Sequence, residues 1–388
     1  MKKFSLVVKT SFGMEDILMN ELSAFGAVKM EKGVRAIRLE ADQRVMYKIN
    51  LGSRVALRVL KPVKKFPAGS EHQLYDELKK IDWSMYMSAN DTLAIDSVVN
   101  HSTMTHSLYV SQKAKDAIVD QFRDKTGERP SVDLARPSLR LHIHITKDEA
   151  EVSLDSSGDS LHKRGYRQQT GEAPINEALA AGLILLSGWD MKSPFTDLMC
   201  GSGTMVIEAA LMALNKSPGL LRREFGFERW KDFDATLWNE LKSEAKANEK
   251  KEIDFPINGV DNSASIIRSA KENARSAGVL DAIYFHNLPF AEYIPETNSG
   301  TILMNPPYGG RLTSDDLTGL YKSIGDQFKK KYAGWVGYVF TANREAGKSI
   351  GLKPSRKIPL FNGNLECRLL KFEMYAGSRR KPMDDLKI

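Results

Sequence analysis

The stretch FTDLMCGSGTMVIEAALMALN, Phe195 to Asn215, joins a short apolar run to a helical one through a glycine turn. The same unit recurs on either side of it. The helix pattern NEALAAGLILLSG (176–188) precedes it, and INGVD (257–261) leads into SASIIRSAKENARSAG (263–278). AIYFHN (282–287) and TILMNPP (301–307) follow, then DDLTGLYKSIGDQFKKKY (315–332) and GYVFTA (337–342). Strand and helix alternating in this way predict a parallel sheet covered on both faces. The segment from Asn215 to Pro256 reads as an irregular insertion, tolerable because it follows a helix. KIPLFNGNLECRLLKFEMY (357–375) departs from the alternation: two strands meet at an Asn-Gly turn, predicting an antiparallel hairpin at the sheet edge.

In an open parallel sheet, ligands sit beyond the carboxyl ends of the strands. The residues just after each strand are therefore the candidates. In DLMCGSGT, Asp197 to Thr204, Gly201 and Gly203 let the backbone turn sharply and approach a ligand while the next helix presents its amino end. A nicotinamide-binding loop competes with this reading, but such loops usually carry a third glycine, and here Gly203 is followed by Thr204, Met205 and Val206. Asp261 ends the next strand, where a carboxylate can accept hydrogen bonds from both hydroxyls of a ribose. Asn287 ends the third and can meet an adenine edge.

The fourth strand ends in NPPYGGR, Asn305 to Arg311, the most specific feature of the chain. Pro306 and Pro307 preset an extended backbone and remove two donors, leaving the Pro306 carbonyl and the Asn305 side-chain carbonyl as paired acceptors. A planar exocyclic amine carries two N–H groups and fits such a pair. Tyr308 offers a ring for base stacking, worth roughly 1 to 3 kcal/mol per base.

The first 155 residues read differently. FSLVVKT, the helix pattern MEDILMNELSAFG, VRAIRLEA, a helix capped by Asp42 and RVALRVLKPVKKF fit the ferredoxin-like order of strand, helix, strand, strand, helix, strand. The condition is that the segment around Val28 to Met30 is not a strand of its own. Beyond Ser70 come the helix EHQLYDELKKI, the strand TLAIDSVV, a long helix from Ser107 and a hairpin of SLRLHIHIT with EAEVSLD. His142 and His144 share a strand face, yet no third ligand is near, so surface residues are expected rather than a metal site.

With 388 residues the chain is long enough for two or three domains, and 42% hydrophobic with 27% charged residues excludes a disordered or fibrous chain. Two cysteines, Cys200 and Cys367, exclude a disulfide framework and fit a reducing, cytoplasmic setting. No apolar run approaches a membrane span, and the start MKKFSLVVKTSFGMED is too soon interrupted by Lys9 for a signal segment. Net charge is +7, weakly favouring a polyanionic partner. Its distribution says more: from Gln43 to Ser70 there is no acidic residue, while Arg58, Lys61, Lys64 and Lys65 stand among seven cations. A second cluster, Lys163, Arg164 and Arg167, lies in LHKRGYR. Both are candidate phosphate contacts, with a solvated face as the plain alternative.

Together, the cofactor-type loop, Asp261, NPPY and the edge hairpin resemble class I S-adenosylmethionine-dependent amino-methyltransferases. SVVNHSTMTHSLYVSQKAKDAIVDQF, RPSVD, LDSSGDSLHKRGYR, GEAPINEALAAGL and LFNGNLECRL further resemble the bacterial THUMP-domain RNA methyltransferases that make N2-methylguanosine in 23S ribosomal RNA. The resemblance covers nearly the whole chain. It implies a ferredoxin-like domain over 1–65, a THUMP RNA-binding domain over 66–155 and a Rossmann-like catalytic domain over 160–388. It implies S-adenosylmethionine held by Asp197, Cys200, Gly201, Ser202, Gly203, Thr204, Asp261, Asn262, Asn287 and Leu288, and catalysis by Asn305, Pro306, Pro307 and Tyr308. RNA, 23S ribosomal RNA or a pre-ribosomal particle, is the implied partner. Asn287 departs from the family, which commonly has an acidic residue there, although an amide also accepts from an adenine amine. NPPY is shared with N6-adenine enzymes on RNA or DNA, so the motif alone leaves guanine and adenine open.

On this reading Asn305 and the Pro306 carbonyl accept the two amine hydrogens and turn the nitrogen lone pair toward the methyl group, so that positioning rather than a strong base carries catalysis. Cys200 sits in the cofactor loop, where packing suits it better than nucleophilic chemistry. Two rivals are a noncatalytic RNA-binding protein and a nicotinamide-dependent oxidoreductase. Intact Asp261 and NPPY argue against the first, and NPPY would have no purpose in the second.

Overall fold

The computed structural model describes residues 2–167, 175–309 and 313–375. In chain order the elements are β1 (Phe4–Thr10), α1 (Glu15–Ala24), β2 (Val28–Gly33), β3 (Ala36–Ala41), α2 (Gln43–Gly52), β4 (Ala56–Pro67), α3 (Glu71–Lys79), β5 (Thr92–Asn100), α4 (Ser107–Thr126), β6 (Ser131–Val132), β7 (Leu139–Thr146) and β8 (Glu149–Asp155). There follow α5 (Glu177–Ser187), β9 (Phe195–Asp197), α6 (Thr204–Ala213), α7 (Ala235–Ala247), β10 (Ile257–Asp261), α8 (Ala264–Ser276), β11 (Tyr284–Asn287), β12 (Thr301–Met304), α9 (Ser314–Lys331), β13 (Val336–Thr341), α10 (Arg344–Ser349), β14 (Arg356–Asn362) and β15 (Leu365–Glu373). They form two compact units. The first ends at Gly165 and takes back Ser217–Asn248; the second comprises Tyr166–Lys216 and the chain from Glu249 onward.

The first unit is built on one sheet of eight strands, ordered β2-β3-β1-β4-β8-β7-β5-β6. Val28–Gly33 is a strand after all, paired antiparallel with β3 through Glu31↔Arg38 and Lys32↔Ile37. It does not break the ferredoxin-like order but supplies its second strand. VKMEKG is almost wholly exposed, so a sheet edge rather than an apolar face holds it, and hydrophobic alternation could not reveal it. The predicted cap is present: Asp42 accepts from the Val45 N–H at 3.0 Å. β4 relays between two neighbours, its first half pairing with β1 up to Val7↔Leu60 and its second half with β8 from Leu60↔Asp155 to Pro67↔Glu149.

His142 is not a surface residue. It is 7% exposed, and burial together with the Lys9 and Arg58 charges holds its pKa down to about 4. Among the described residues no three or more His, Cys, Asp or Glu side chains come together as a metal site, and no helix is long and apolar enough to cross a membrane.

The insertion after α6 is more regular than expected and belongs to the core of the first unit. Its helix α7 is capped by Asp234, which accepts from the Leu237 N–H at 2.9 Å. Phe227 is fully buried and stacks on Tyr47 of α2 with ring centroids 4.3 Å apart, while Trp238 meets both Phe225 and Phe227 edge-on. The aromatic residues of REFGFERW are thus the docking face of the segment.

The second unit carries a seven-stranded sheet ordered β11-β10-β9-β12-β13-β15-β14. The pairs β9–β10, β10–β11, β9–β12 and β12–β13 are parallel, and β15 runs antiparallel to both β13 and β14. The predicted hairpin is present, its return strand inserted beside β13 and its first strand at the edge. One face is closed by α9, whose Tyr321, Ile324 and Phe328 pack on Ile302, Met304 and Val339. All of α6 is buried. The short helix α10, capped by Asn343, was not legible in REAGKS, too short to show a period.

Candidate active site

The candidate residues of the second unit gather at the carboxyl ends of its parallel strands. β9 stops at Asp197 and the chain turns through Cys200 to Gly203. The Cys200 N–H donates to the Val260 carbonyl at 2.9 Å, and the Gly203 N–H closes the turn onto the Cys200 carbonyl at 2.9 Å. Gly201 and Gly203 have φ of 52° and 85°, the left-handed region that other residues rarely adopt. A side chain on Gly203 would lie 3.2 Å from the Ala270 Cβ, so glycine also permits the approach of α8. On Gly201 it would meet no atom within 4 Å among the described residues, so this peptide faces open space there. From α8, the Asn273 side chain donates to the Ser202 carbonyl at 3.1 Å.

Asp261 and Asn287 are register partners on β10 and β11. Asp261 accepts from the Gly201 N–H at 3.2 Å and the Ser263 N–H at 2.9 Å, which fixes its carboxylate beside the glycine turn. The Asn287 amide donates to the Asp261 backbone carbonyl at 3.1 Å, leaving its side-chain oxygen to accept. Asn262 is exposed and Leu288 packs against the core. Asp197 is 2% exposed, and burial pushes its carboxyl up to about 7, opposed by the Met199 N–H bond and reinforced by the charge of Asp261. Burial likewise raises the Cys200 thiol far above its usual range, which disfavours a thiolate and agrees with a packing role.

β12 delivers Asn305, whose Oδ1 is buried with no hydrogen-bond partner among the described residues. Pro306 behind it is buried, Pro307 is exposed, and Tyr308 is half-buried. An unpaired buried carbonyl costs about 1 to 3 kcal/mol, so its retention at this place points to an incoming donor. The Tyr308 hydroxyl accepts from the Asn362 Nδ2 at 2.7 Å. Sequence reasoning did not assign Asn362 a role, because the contact joins β12 to the turn of the edge hairpin. Gly310 and Arg311 of NPPYGGR, and Gly171 to Pro174 of GEAPINEALAAGL, lie outside the described residues.

The basic candidates fare differently. In the second unit Arg167 is an internal strut, donating to the Ile175 carbonyl at 3.0 Å, to Thr204 Oγ1 at 3.1 Å and to Glu177 at 3.2 Å. It therefore ties the start of α6 to α5. In the first unit Arg164 is 1% exposed and donates to the Leu161 and Arg54 carbonyls. Every cation picked from the acid-free run has a carboxylate beside it: Arg58 has Asp155, Lys61 has Asp232 at 3.2 Å, Lys64 has Glu77 at 2.9 Å (shared with Lys80), and Lys65 has Glu149 at 2.5 Å. The acids come from distant segments that a local charge count cannot see. Lys163 remains 61% exposed, 3.5 Å from Asp159.

A donor set of this kind suits an adenosyl cofactor: a peptide turn open to a ligand, a fixed carboxylate for ribose hydroxyls, and a side-chain oxygen for an adenine amine. Comparison with known proteins agrees. Residues 164–371 match the UPF0020 family, described as the RMKL-like methyltransferase domain; 68–155 match the THUMP domain and 5–60 the RlmL ferredoxin-like domain. A Synechocystis sp. protein provisionally named an RNA methyltransferase is 39% identical over 94% of this chain and 95% of its own length. The ribosomal RNA large subunit methyltransferase K/L of Syntrophotalea carbinolica is 40% identical over 93% of this chain and 52% of its own. The chain thus spans about half the length of the K/L proteins it matches. The solved structure of SMU.472, provisionally described as a methyltransferase and complexed with SAH, superposes with a TM-score of 0.86 at 29% identity, covering 97% of this chain and 100% of that one. Sequence, fold and site agree that the chain belongs to the RMKL-like methyltransferase family, whose cofactor is S-adenosylmethionine, with ferredoxin-like and THUMP domains ahead of the catalytic fold.

Proposed function

We propose that the protein methylates the exocyclic N2 amine of a guanosine in RNA, in 23S ribosomal RNA or a pre-ribosomal particle in the cytoplasm. The observation that carries this reading is the buried Oδ1 of Asn305 at the end of β12, without a hydrogen-bond partner among the described residues. S-adenosylmethionine, when bound, supplies a methyl group made electrophilic by its sulfonium. Gly201, Asp261 and Asn287 would hold its adenosine, with Asp197, Cys200, Ser202, Gly203, Thr204, Asn262 and Leu288 shaping the site around them. Asn305 Oδ1 and the Pro306 carbonyl accept the two amine hydrogens, and Pro307, lacking an N–H, leaves no competing donor. Both acceptors stabilise positive charge as the nitrogen becomes tetrahedral. Tyr308 stacks on the target base, which must leave its helix to enter. The domain division fits such an activity, with residues 1–65 and 66–155 bringing RNA and 160–388 acting on it. The names of the K/L relatives support a ribosomal substrate.

Ribosomal RNA from cells with and without the protein, digested to nucleosides and separated by mass, tests the reading. Loss of N2-methylguanosine in the deleted strain, restored by wild-type protein but not by Asn305→Ala, is the expected result. Loss of N6-methyladenosine instead would assign the adenine amine.

A further inference from the structure

Of the sequence features that the active site leaves unused, the insertion PGLLRREFGFERW is the most informative, because the first unit brings it against two other segments. Arg222, Arg223 and Arg229 of the insertion, Lys163 of LHKRGYR, Arg136 before β7 and Arg140 at its start line a single open cleft of about 320 Å³. These residues lie far apart in sequence, and close backbone contact joins them: a Cβ on Gly226 would fall 2.6 Å from the Asp155 carbonyl and 2.9 Å from the Gly158 nitrogen. The cleft is a built feature of the fold, not an accident of flexible side chains.

Charge in the cleft is unbalanced in a way that the β4 run is not. Six cations line it against two carboxylates, Asp159 and Glu224, and only Arg140 among the six has a further carboxylate, Asp96 at 3.0 Å, among the described residues. Glu224 is shared, accepting from Arg136 at 2.9 Å and from Arg229 at 2.6 Å, so one carboxylate answers two guanidiniums. Arg222 donates from its two terminal nitrogens to the backbone carbonyls of Ser157, Asp159, Ser160 and Lys163, so neutral carbonyls rather than carboxylates take its hydrogen bonds. Burial, aided by neighbouring Arg164, lowers its pKa only to about 10, so it stays cationic at neutral pH. Arg223 is exposed and has no ion-pair partner among the described residues. Excess positive charge in a concave, rigid setting raises local anion concentration, and guanidinium forks match phosphate oxygens.

We propose that this cleft binds the phosphodiester backbone of the substrate RNA, with Arg223 and Lys163 making direct phosphate contacts and Arg222 and Arg229 setting the field behind them. The proposal rests on the reading of the protein as an RNA methyltransferase. Its site is not on β4, where each of Arg58, Lys61, Lys64 and Lys65 already sits against a carboxylate.

Binding of the full-length protein to a fluorescein-labelled RNA hairpin, followed between about 50 and 200 mM salt, tests it. Lys163→Gln with Arg223→Gln should weaken binding several-fold and lower the slope of log K against log salt by roughly 0.7 to 0.9 per lost contact. Cofactor affinity and thermal midpoint should stay at the wild-type values. Lys163→Arg with Arg223→Lys should restore the slope, since charge is kept. Lys64→Gln with Lys65→Gln serves as the contrast and should leave the slope unchanged. Wild-type slope and affinity in the cleft variant, or an equal loss in the β4 variant, would overturn the cleft while leaving the RNA reading in place. If the wild-type protein binds no RNA but transfers methyl groups to another substrate, the RNA reading itself fails and the cleft assignment with it.

Discussion

Asn362, the last residue of edge strand β14, donates from Nδ2 to the hydroxyl of Tyr308 at 2.7 Å. The hairpin thereby fixes the ring proposed to receive the target base. Removing one such bond is worth about 1 kcal/mol, so Asn362→Ala should lower kcat roughly 3- to 10-fold with cofactor affinity unchanged. Asn362→Asp reverses the bond, accepting from the phenol, and should retain most of the rate. Steady-state kinetics on the two variants separates them; equal losses would mean that the ring position is not what Asn362 controls.

Asn305→Ala removes the acceptor proposed for the target amine. Its kcat should fall by about 10²-fold or more, the scale for losing one preorganised polar group, while RNA affinity stays nearly intact. Single-turnover methyl transfer at the wild-type rate would refute the role.

Asp261→Ala should weaken S-adenosylmethionine binding by roughly 10- to 100-fold, because hydrogen bonds to a charged acceptor contribute about 1.5 to 3 kcal/mol each. Titration calorimetry on the purified protein measures it directly. Part of the loss will come from the freed Gly201 N–H, which donates to Asp261 at 3.2 Å. An affinity equal to wild type would remove Asp261 from the cofactor site.

Asp197 gives the cofactor-free protein a pH dependence of definite sign. Its folded-state carboxyl titrates at about 7 against an ordinary 3.8. Below the ordinary value both folded and unfolded chains hold the proton. Between the two values the unfolded chain ionises and the folded chain does not, so stability falls as pH rises and levels off above about 7. Asp197→Asn keeps an acceptor for the Met199 N–H and abolishes the titration. Its Tm advantage over wild type should therefore widen from pH 4 to pH 7, reflecting a few kcal/mol, and a constant margin in thermal melts would contradict the assignment.

Much of the second unit could be read before its structure was known, for a geometric reason. In a parallel sheet every strand points its carboxyl end the same way, so the residue that follows each strand must fall near the others. The placement of Asp197, Asp261, Asn287 and Asn305 at the carboxyl ends of β9, β10, β11 and β12 follows from that rule. Residues whose role depends on a partner from another part of the chain were not legible. Asn362 reaches Tyr308 from the hairpin, Arg167 turns inward to Thr204, and the acids that sit against Lys61, Lys64 and Lys65 are Asp232, Glu77 and Glu149. The run from Gln43 to Ser70 is free of acid in one dimension only. Val28–Gly33 was missed for a different reason, since an edge strand exposed on both faces carries no alternation.

The relay made by β4 has a consequence for dissecting the protein. A fragment starting at residue 66 would strip β8 of its neighbour and present most of that strand's peptide groups as an open edge, a template for aggregation between copies. A cut there divides a ladder, not a linker. Nor does a fragment ending at residue 165 escape, because the aromatic face that covers Tyr47 arrives only with Ser217–Asn248. The first unit is not one continuous stretch of the natural chain, so a version of it without the second unit would need residues 217–248 rejoined through an artificial connection.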